Sequence, residues 1–386
     1  MKISPARKAA FEVLFRIDKE KAFSSILLPR YEQKLDVRDS SLCHQLTLGV
    51  LRNKIYLDRV IELFSARKTG KFDLEVLTAL RIGLYQILFL EKIPAYSAIN
   101  ESVNLVKAAK KRSASGLVNA VLRKAVKQEI NLDFGDKVEQ ISVENSHPRW
   151  LIERWADQFG LVRAEALANA NNSKASLTFR FTKRFFSKSE SDQQKILKAL
   201  ASDDNIERSE LVSNCYRASR MTREIDDLAQ SNFIYFQDEA SQLTADGITL
   251  ERDQVFLDVC ASPGSKATYV AAFSDQNALV VAGDLYPHRI RTLKSNAEKQ
   301  KAVEIAIAMY DAEKALPFPD ESIDVVLVDA PCSGTGTIRR NPEIRYSLSR
   351  SDFGELASKQ LTILKNASNL VKSGGKLVYS TCSIDI

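Results

Sequence analysis

Two cysteines near the C-terminal end of the chain stand where thiol chemistry is useful. Cys332 lies in Val328-Asp329-Ala330-Pro331-Cys332-Ser333-Gly334-Thr335-Gly336, and Cys382 in Val378-Tyr379-Ser380-Thr381-Cys382-Ser383. Each follows a run that predicts a strand. A thiolate is the best side-chain nucleophile for attack on an electron-poor ring carbon. Two thiols beside one ligand turn fit an enzyme that binds its substrate covalently and then has to release it. The other cysteines read differently. Cys43 and Cys215 are expected to be small buried hydrophobes, and Cys260 to line a ligand turn without reacting.

That turn is Leu257-Asp258-Val259-Cys260-Ala261-Ser262-Pro263-Gly264-Ser265-Lys266, and a helical stretch, 267–273, follows it. Gly264 lets backbone approach a ligand closely. Asp284 follows the next predicted strand, 20 residues after Gly264. In a doubly wound fold a carboxylate there reaches the hydroxyls of a ribose. Asp311 follows the third strand and suits an exocyclic amine or a cationic part of the ligand. A nucleoside-containing ligand is implied. The turn has neither the Gly-x-Gly-x-x-Gly spacing of nicotinamide enzymes nor the Gly-Lys-Ser/Thr of phosphate loops. S-adenosylmethionine is the better match.

These residues need elements to hold them. From residue 236 onward the pattern is strand, turn, helix, repeated. Strands are expected at 255–259, 278–282, 303–307, 323–328 and 376–379. Their β-branched runs without alternation imply a parallel sheet covered on both faces. This is a doubly wound α/β domain, with its ligand beyond the carboxyl ends of the strands.

Residues 1–130 read as an all-helical domain. Ser4-Pro5 starts one helix, the nearly all-apolar stretch 77–90 forms a central buried helix ended by Ile93-Pro94, Ser97 caps the next, and Ser115 opens another. Residues 131–235 read as a small α+β connector, with a helix bearing Trp155, a strand at 175–181 and a helix from Ser189 to Leu200. Its cluster Arg180, Lys183, Arg184, Phe185, Phe186 suits contact with nucleic acid or a plain loop edge.

Charge divides along the same boundary. The net charge is +6, yet residues 1–130 hold 24 Lys and Arg against 13 Asp and Glu, and the remainder is slightly acidic. A basic module joined to a catalytic domain suits docking on a polyanion. The hydrophobic fraction of 45% and charged fraction of 27% are those of a soluble globular protein. No apolar run approaches the roughly 20 residues that span a bilayer. The first residues lack a signal-peptide core, and five scattered cysteines form no disulfide framework, so a reducing cytoplasm is expected. His44, His147 and His288 are far apart without metal-ligand spacing, so no metal site is expected.

The quoted turn, the Asp329-Ala330-Pro331-Cys332 segment and Ser380-Thr381-Cys382-Ser383 together resemble the signature motifs of the RNA cytosine-5 methyltransferases, the NOL1/NOP2/Sun family. The stretch Thr337-Ile338-Arg339-Arg340-Asn341-Pro342-Glu343-Ile344-Arg345-Tyr346 extends the match. Ile93-Pro94 through Val103 and Val118-Asn119-Ala120-Val121-Leu122-Arg123 are similar to a NusB-like RNA-binding domain. That combination resembles the bacterial members that act on 16S ribosomal RNA.

The resemblance implies a multidomain chain: a NusB-like bundle (1–130), an α+β connector (131–235) and a class I, Rossmann-like methyltransferase domain (236–386). It implies transfer of a methyl group to cytosine C5. Cys382 would be the nucleophile at C6, and Cys332 would assist breakdown of the adduct. Asp329 would hold the cytosine N3 and amine edge, while Lys266 would lower a thiol pKa or orient the base. Asp258, Cys260, Ala261, Ser262, Pro263, Gly264, Ser265, Lys266, Asp284, Arg289, Asp311 and Asp329 would form the S-adenosylmethionine site. The partner implied is 16S ribosomal RNA, met by a monomer without metal or membrane.

Two features depart from the family pattern. Ser265 replaces a second glycine in the turn. The family fold continues past the Cys382 loop with another helix and a strand pair, so the fifth strand of this chain is expected to be an uncapped edge. Two other readings compete. A DNA cytosine-5 methyltransferase would use Cys332 of the Pro-Cys pair as nucleophile. A non-catalytic RNA-binding or antitermination-like factor would act through residues 1–130 alone.

Overall fold

Local signals start the first helices. Pro5 opens α1 (Pro5–Glu20), where its fixed φ suits the first turn. After α2 (Ser24–Glu32), Asp36 caps α3 (Val37–Arg52) by accepting from Asp39 N at 2.8 Å. Next come α4 (Lys54–Ser65), α5 (Leu74–Phe89), α6 (Ala95–Ala108) and α7 (Ser115–Lys127). Helix α5 is buried continuously from Val76 to Gln86, the central helix expected from its apolar circumference. Its one cation, Arg81, donates to Asp58 at 2.7 Å and to Asp18 at 2.7 Å. Gly49 on α3 faces Tyr85, and a Cβ there would stand 2.0 Å from the ring. Two boundaries differ from expectation. Helix α5 ends at Phe89, ahead of Ile93-Pro94, and α6 starts at Ala95 directly behind Pro94. Ser97 is therefore inside the helix and caps nothing. Proline is well placed before a helix because the extended backbone it favours is that of a cap.

The computed structural model describes residues 3–385, which form two compact units. The first contains the residues up to Lys174 with Gly334–Arg350 and those after Cys382. It includes α8 (Lys137–Glu144), α9 (Arg149–Phe159) and α10 (Leu161–Asn172). Buried Trp155 sits on α9. The expected connector is thus divided: its helices belong with the bundle, and its strand-bearing part does not. Among the described residues no helix is long and apolar enough to cross a membrane.

The second unit contains Ala175–Ser333 and Ser351–Cys382. It begins with β1 (Leu177–Phe181), α11 (Lys183–Phe186), α12 (Glu190–Ala201), β2 (Ile206–Arg208), β3 (Cys215–Ala218), α13 (Arg223–Gln230) and β4 (Ile234–Phe236). The strands form an antiparallel sheet in the order β2-β3-β1-β4. The basic and aromatic cluster read as either a nucleic-acid contact or a plain loop edge is largely used internally. Arg180 is fully buried, as is Phe185, Lys183 pairs with Glu304, and Arg184 Nε donates to Lys299 O at 2.6 Å.

Helix α14 (Glu239–Asp246) leads into the doubly wound domain: β5 (Val255–Asp258), α15 (Ser265–Phe273), β6 (Leu279–Asp284), α16 (Pro287–Gln300), β7 (Ala306–Met309), β8 (Ile323–Asp329), α17 (Ile344–Ser347), α18 (Arg350–Ser368) and β9 (Val371–Ser380). Of these, α17 falls within the segment that groups with the first unit. The five strands are parallel, in the order β7-β6-β5-β8-β9. Strand order reverses between β5 and β8, which makes a crevice at their carboxyl ends. Strand β7 starts three residues later than its apolar pattern predicts. Among the described residues, β9 is bonded to β8 alone and forms the edge expected of the fifth strand.

Candidate active site

The carboxyl ends of β5, β6 and β8 each deliver an aspartate to the crevice. Asp258 ends β5, and the chain turns through Gly264 at φ +97° before α15 begins. Left-handed backbone of this kind favours glycine. Space requires glycine as well, because a Cβ would meet Leu293 at 3.1 Å. The turn is stitched to its neighbours: Ala261 N donates to Gly283 O at 2.8 Å, Ser262 N to Asp284 at 3.2 Å, and Asn296 Nδ2 to Pro263 O at 2.8 Å. Asp284, at the end of β6, is buried, accepts from Leu285 N at 2.8 Å, and is met by Arg289 at 3.4 Å. Asp311 lies after β7, half-buried, with Lys314 at 3.7 Å.

Asp258 is the most perturbed carboxyl here. It is 1% exposed, and its Oδ1 has no hydrogen-bond partner. Burial and then the charge of Asp329 push its pKa up to about 7, with Lys266 pulling the other way. Burial, followed by Asp258, pushes the Cys260 thiol up to about 12, which suits a lining residue rather than a nucleophile. Tyr310, which no local pattern singled out, is half-buried with its buried hydroxyl unpartnered, and its ring fills the space that a side chain at Gly283 would need.

The two thiols converge because β8 and β9 pair in register. Asp329 lies opposite Ser380, and the chain continues from each strand into its cysteine. Cys332 Sγ and Cys382 Sγ are 3.0 Å apart. Gln360 on α18 braces this end, donating to Pro331 O at 2.8 Å and accepting from Tyr379 at 2.9 Å. Asp329 is held from both sides, by Lys266 Nζ at 2.5 Å and Ser380 Oγ at 2.7 Å. Lys266 therefore spends its charge on Asp329. Of the two roles expected of it, lowering a thiol pKa or orienting the base, this contact supports the second, through the Asp329 carboxylate. The Cys382 thiol is pushed far above its ordinary value, first by its hydrogen bond with Cys332 and then by burial. Cys43 and Cys215 are buried, and burial pushes each up to about 11, as expected of inert cysteines.

Both thiol-bearing turns run directly into segments that belong to the helical unit. There Glu343 accepts from Ser24 N at 2.7 Å and Ser24 Oγ at 2.8 Å. Arg345, fully buried, donates to Asn145 O at 3.1 Å and Asn172 Oδ1 at 2.9 Å. Asp385 pairs with Arg154 at 2.9 Å.

The donor set fits a nucleoside bearing a cationic sulfur. It offers a turn open to close approach, buried carboxylates at two neighbouring strand ends, and one carboxylate oxygen without a partner.

Three family models match successive parts of the chain. The NusB family model matches residues 4–127, an RsmF/B-like methyltransferase ferredoxin-like domain matches 147–205, and the 16S rRNA methyltransferase RsmB/F model matches 247–386. The probable ribosomal RNA small subunit methyltransferase B of Bacillus subtilis is 33% identical over 391 residues, covering 100% of this chain and 86% of that protein. Ribosomal RNA small subunit methyltransferase B of Pseudomonas putida is 32% identical over 390 residues, covering 98% and 85%. Among solved structures, PH0851 superposes with a TM-score of 0.82 at 23% identity, covering 100% of this chain and 87% of that one. NSun6 from Pyrococcus horikoshii with SFG gives 0.51 at 16% identity, covering 61% and 83%. At these identities the structures bear on the fold.

Proposed function

The chain belongs to the small-subunit ribosomal RNA methyltransferases of the RsmB/F family, and on that premise we propose that it methylates C5 of a cytosine in 16S ribosomal RNA through a covalent Cys382 adduct. The observation that carries this reading is the thiol pair, 3.0 Å apart, beside the Lys266–Asp329 ion pair.

Cytosine C5 is a poor nucleophile, and addition of a thiolate at C6 changes that. Cys382 forms the sulfur–C6 bond as its thiol proton passes to the Asp329 carboxylate, and the ring's π electrons move toward C5 and N3. Asp329, steered by Lys266 and Ser380, accepts from the amine edge and donates that proton to N3 as negative charge develops there. When bound, S-adenosylmethionine supplies an electrophilic methyl group on a sulfonium. Gly264, Asp258 and Asp284 would hold it, with Arg289 and Asp311 at the edge of the site. Cys332 then takes the C5 proton and N3 returns its own to Asp329, so that an electron pair restores C5–C6, the C6–sulfur bond breaks, and Cys382 leaves as thiolate. Cys332 is the adjacent group that assists this release. The target base has to leave its stack to enter.

The direct test uses 16S ribosomal RNA and methyl-labelled cofactor, with the label located after nuclease digestion. Label in 5-methylcytidine is expected. Label in another nucleoside overturns the cytosine-5 chemistry, and no label at all leaves an RNA-binding factor.

Cofactor binding should release a proton. Asp258 is close to half protonated at neutral pH, and a cationic ligand beside it favours the ionised form. Calorimetry near pH 7 in buffers of different ionisation enthalpy should therefore give roughly half a proton released. Asp258→Asn should abolish the buffer dependence. The sign for stability follows. The raised carboxyl keeps a proton in the folded state that the unfolded chain has lost. Its contribution is full below the unfolded value and is lost as pH rises through about 7.

RNA affinity should depend on the basic surplus of the helical unit. Lys110, Arg112, Arg123 and Lys127 are exposed around α6 and α7. Changing all four to Ala should flatten the slope of log affinity against log salt by about 3 if each meets a phosphate, at roughly 0.7–0.9 apiece. Cofactor affinity should stay the same. An unchanged slope would place the RNA surface elsewhere.

A further inference from the structure

We propose that Arg180, on the central antiparallel strand β1, is a positioning residue that holds the S-adenosylmethionine turn in its binding geometry. Its guanidinium is fully buried. Nε donates to Gln237 Oε1 at 2.7 Å and Nη1 to Phe181 O at 3.3 Å. Nη2 reaches three acceptors: Thr268 Oγ1 at 2.9 Å, Ser265 O at 3.0 Å and Gln300 Oε1 at 3.1 Å. The rings of Tyr235 and Tyr269 lie 5.3 and 5.2 Å from it, and Tyr269 donates to Asp246. Every acceptor that Arg180 itself meets is neutral. Burying a cation without an ion-pair partner is costly, and an apolar side chain would fill such a site with less penalty.

What Arg180 holds gives the reason for it. Ser265 is the first residue of α15, between Gly264 and Lys266. Thr268 Oγ1, while accepting from Arg180, donates to Gly264 O at 2.7 Å. One guanidinium thus fixes the carbonyls on both sides of the Gly264–Ser265 peptide bond. That peptide sets the left-handed turn and the direction of Lys266. Gln300 closes α16, the helix that supplies Leu293 against Gly264 and Asn296 to Pro263 O. Arg180 therefore ties both helices that frame the turn to the small antiparallel sheet, which becomes the back wall of the cofactor site. A fork of donors is needed for this, and a lysine ammonium cannot span the same acceptors.

This inference rests on the cofactor lying at the Gly264 turn, so the test separates the two. Cofactor Kd by calorimetry, KM for cofactor and for RNA, kcat and melting temperature are measured for Arg180→Met, Arg180→Lys and Thr268→Val. Arg180→Met should weaken cofactor binding at least tenfold, Arg180→Lys by less, and Thr268→Val severalfold. RNA affinity should stay within twofold, and saturating cofactor should restore most of kcat. Should Arg180→Met fail to fold, the Lys and Val variants carry the test. Loss of melting temperature at unchanged cofactor Kd overturns the proposal and makes Arg180 a scaffold residue. Loss of RNA affinity instead of cofactor affinity also overturns it. Gly264→Val is the control for the underlying reading. If it leaves cofactor Kd unchanged, the cofactor lies elsewhere, whatever the Arg180 variants do.

Discussion

Cys382→Ala is expected to lower methyl transfer by on the order of 10⁴-fold or more, because no other group replaces the thiolate that activates the ring. Cofactor affinity should stay within a few-fold. The turn at Gly264 is held by Asp284, Asn296 and the α15 backbone, none of which depends on the β9 thiol. Single-turnover methylation with labelled cofactor reads the first quantity and calorimetry the second. The competing outcome is sharp. If Cys382→Ala keeps turning over while Cys332→Ala is dead, the nucleophile is the thiol of the Pro-Cys pair and the mechanism is that of the DNA enzymes.

Cys332→Ala is expected to trap the protein on its RNA. Addition at C6 needs Cys382 alone, whereas release needs help at the adjacent position. A denaturing gel should show a slower band that nuclease removes. The same variant deletes the hydrogen bond that is the largest cause of the raised Cys382 pKa. More of Cys382 should then be thiolate at neutral pH, and its alkylation by iodoacetamide without RNA should be faster than in the parent. A variant that methylates normally and forms no adduct would remove Cys332 from the release step.

Much of this site was legible because its signals are local. A β-branched run followed by Asp-Ala-Pro-Cys places a thiol at a strand end, and the parallel sheet turns two such ends into neighbours. Asp284 was found by its spacing from Gly264 alone. The misses are long-range. Arg180 sits in an alternating stretch, and alternation assigns it to one face of a strand. That the face is covered by α15 and α16, more than 80 residues later, is invisible to any window. For Lys266 the sequence left two roles open, lowering a thiol pKa or orienting the base, and the pairing of its ammonium with Asp329 is visible only in the geometry. The boundary at 130 followed a change in composition, and the NusB family model ends near it, at residue 127. Packing groups the chain differently: α8 to α10 cluster with the helices before them rather than with the sheet.

The segment after Cys332 also bears on how the protein is made. Helix α2 has no side-chain cap of its own, and Ser24 N is satisfied by Glu343. Arg345 likewise takes up carbonyls at the end of α8. A ribosome adding roughly 5–20 residues per second reaches these positions about 10–35 s after Lys174 is joined. Through that interval the newborn helical unit carries open helix ends and waits for its last parts. A stop codon anywhere before residue 343 would leave an incomplete bundle as well as an absent active site.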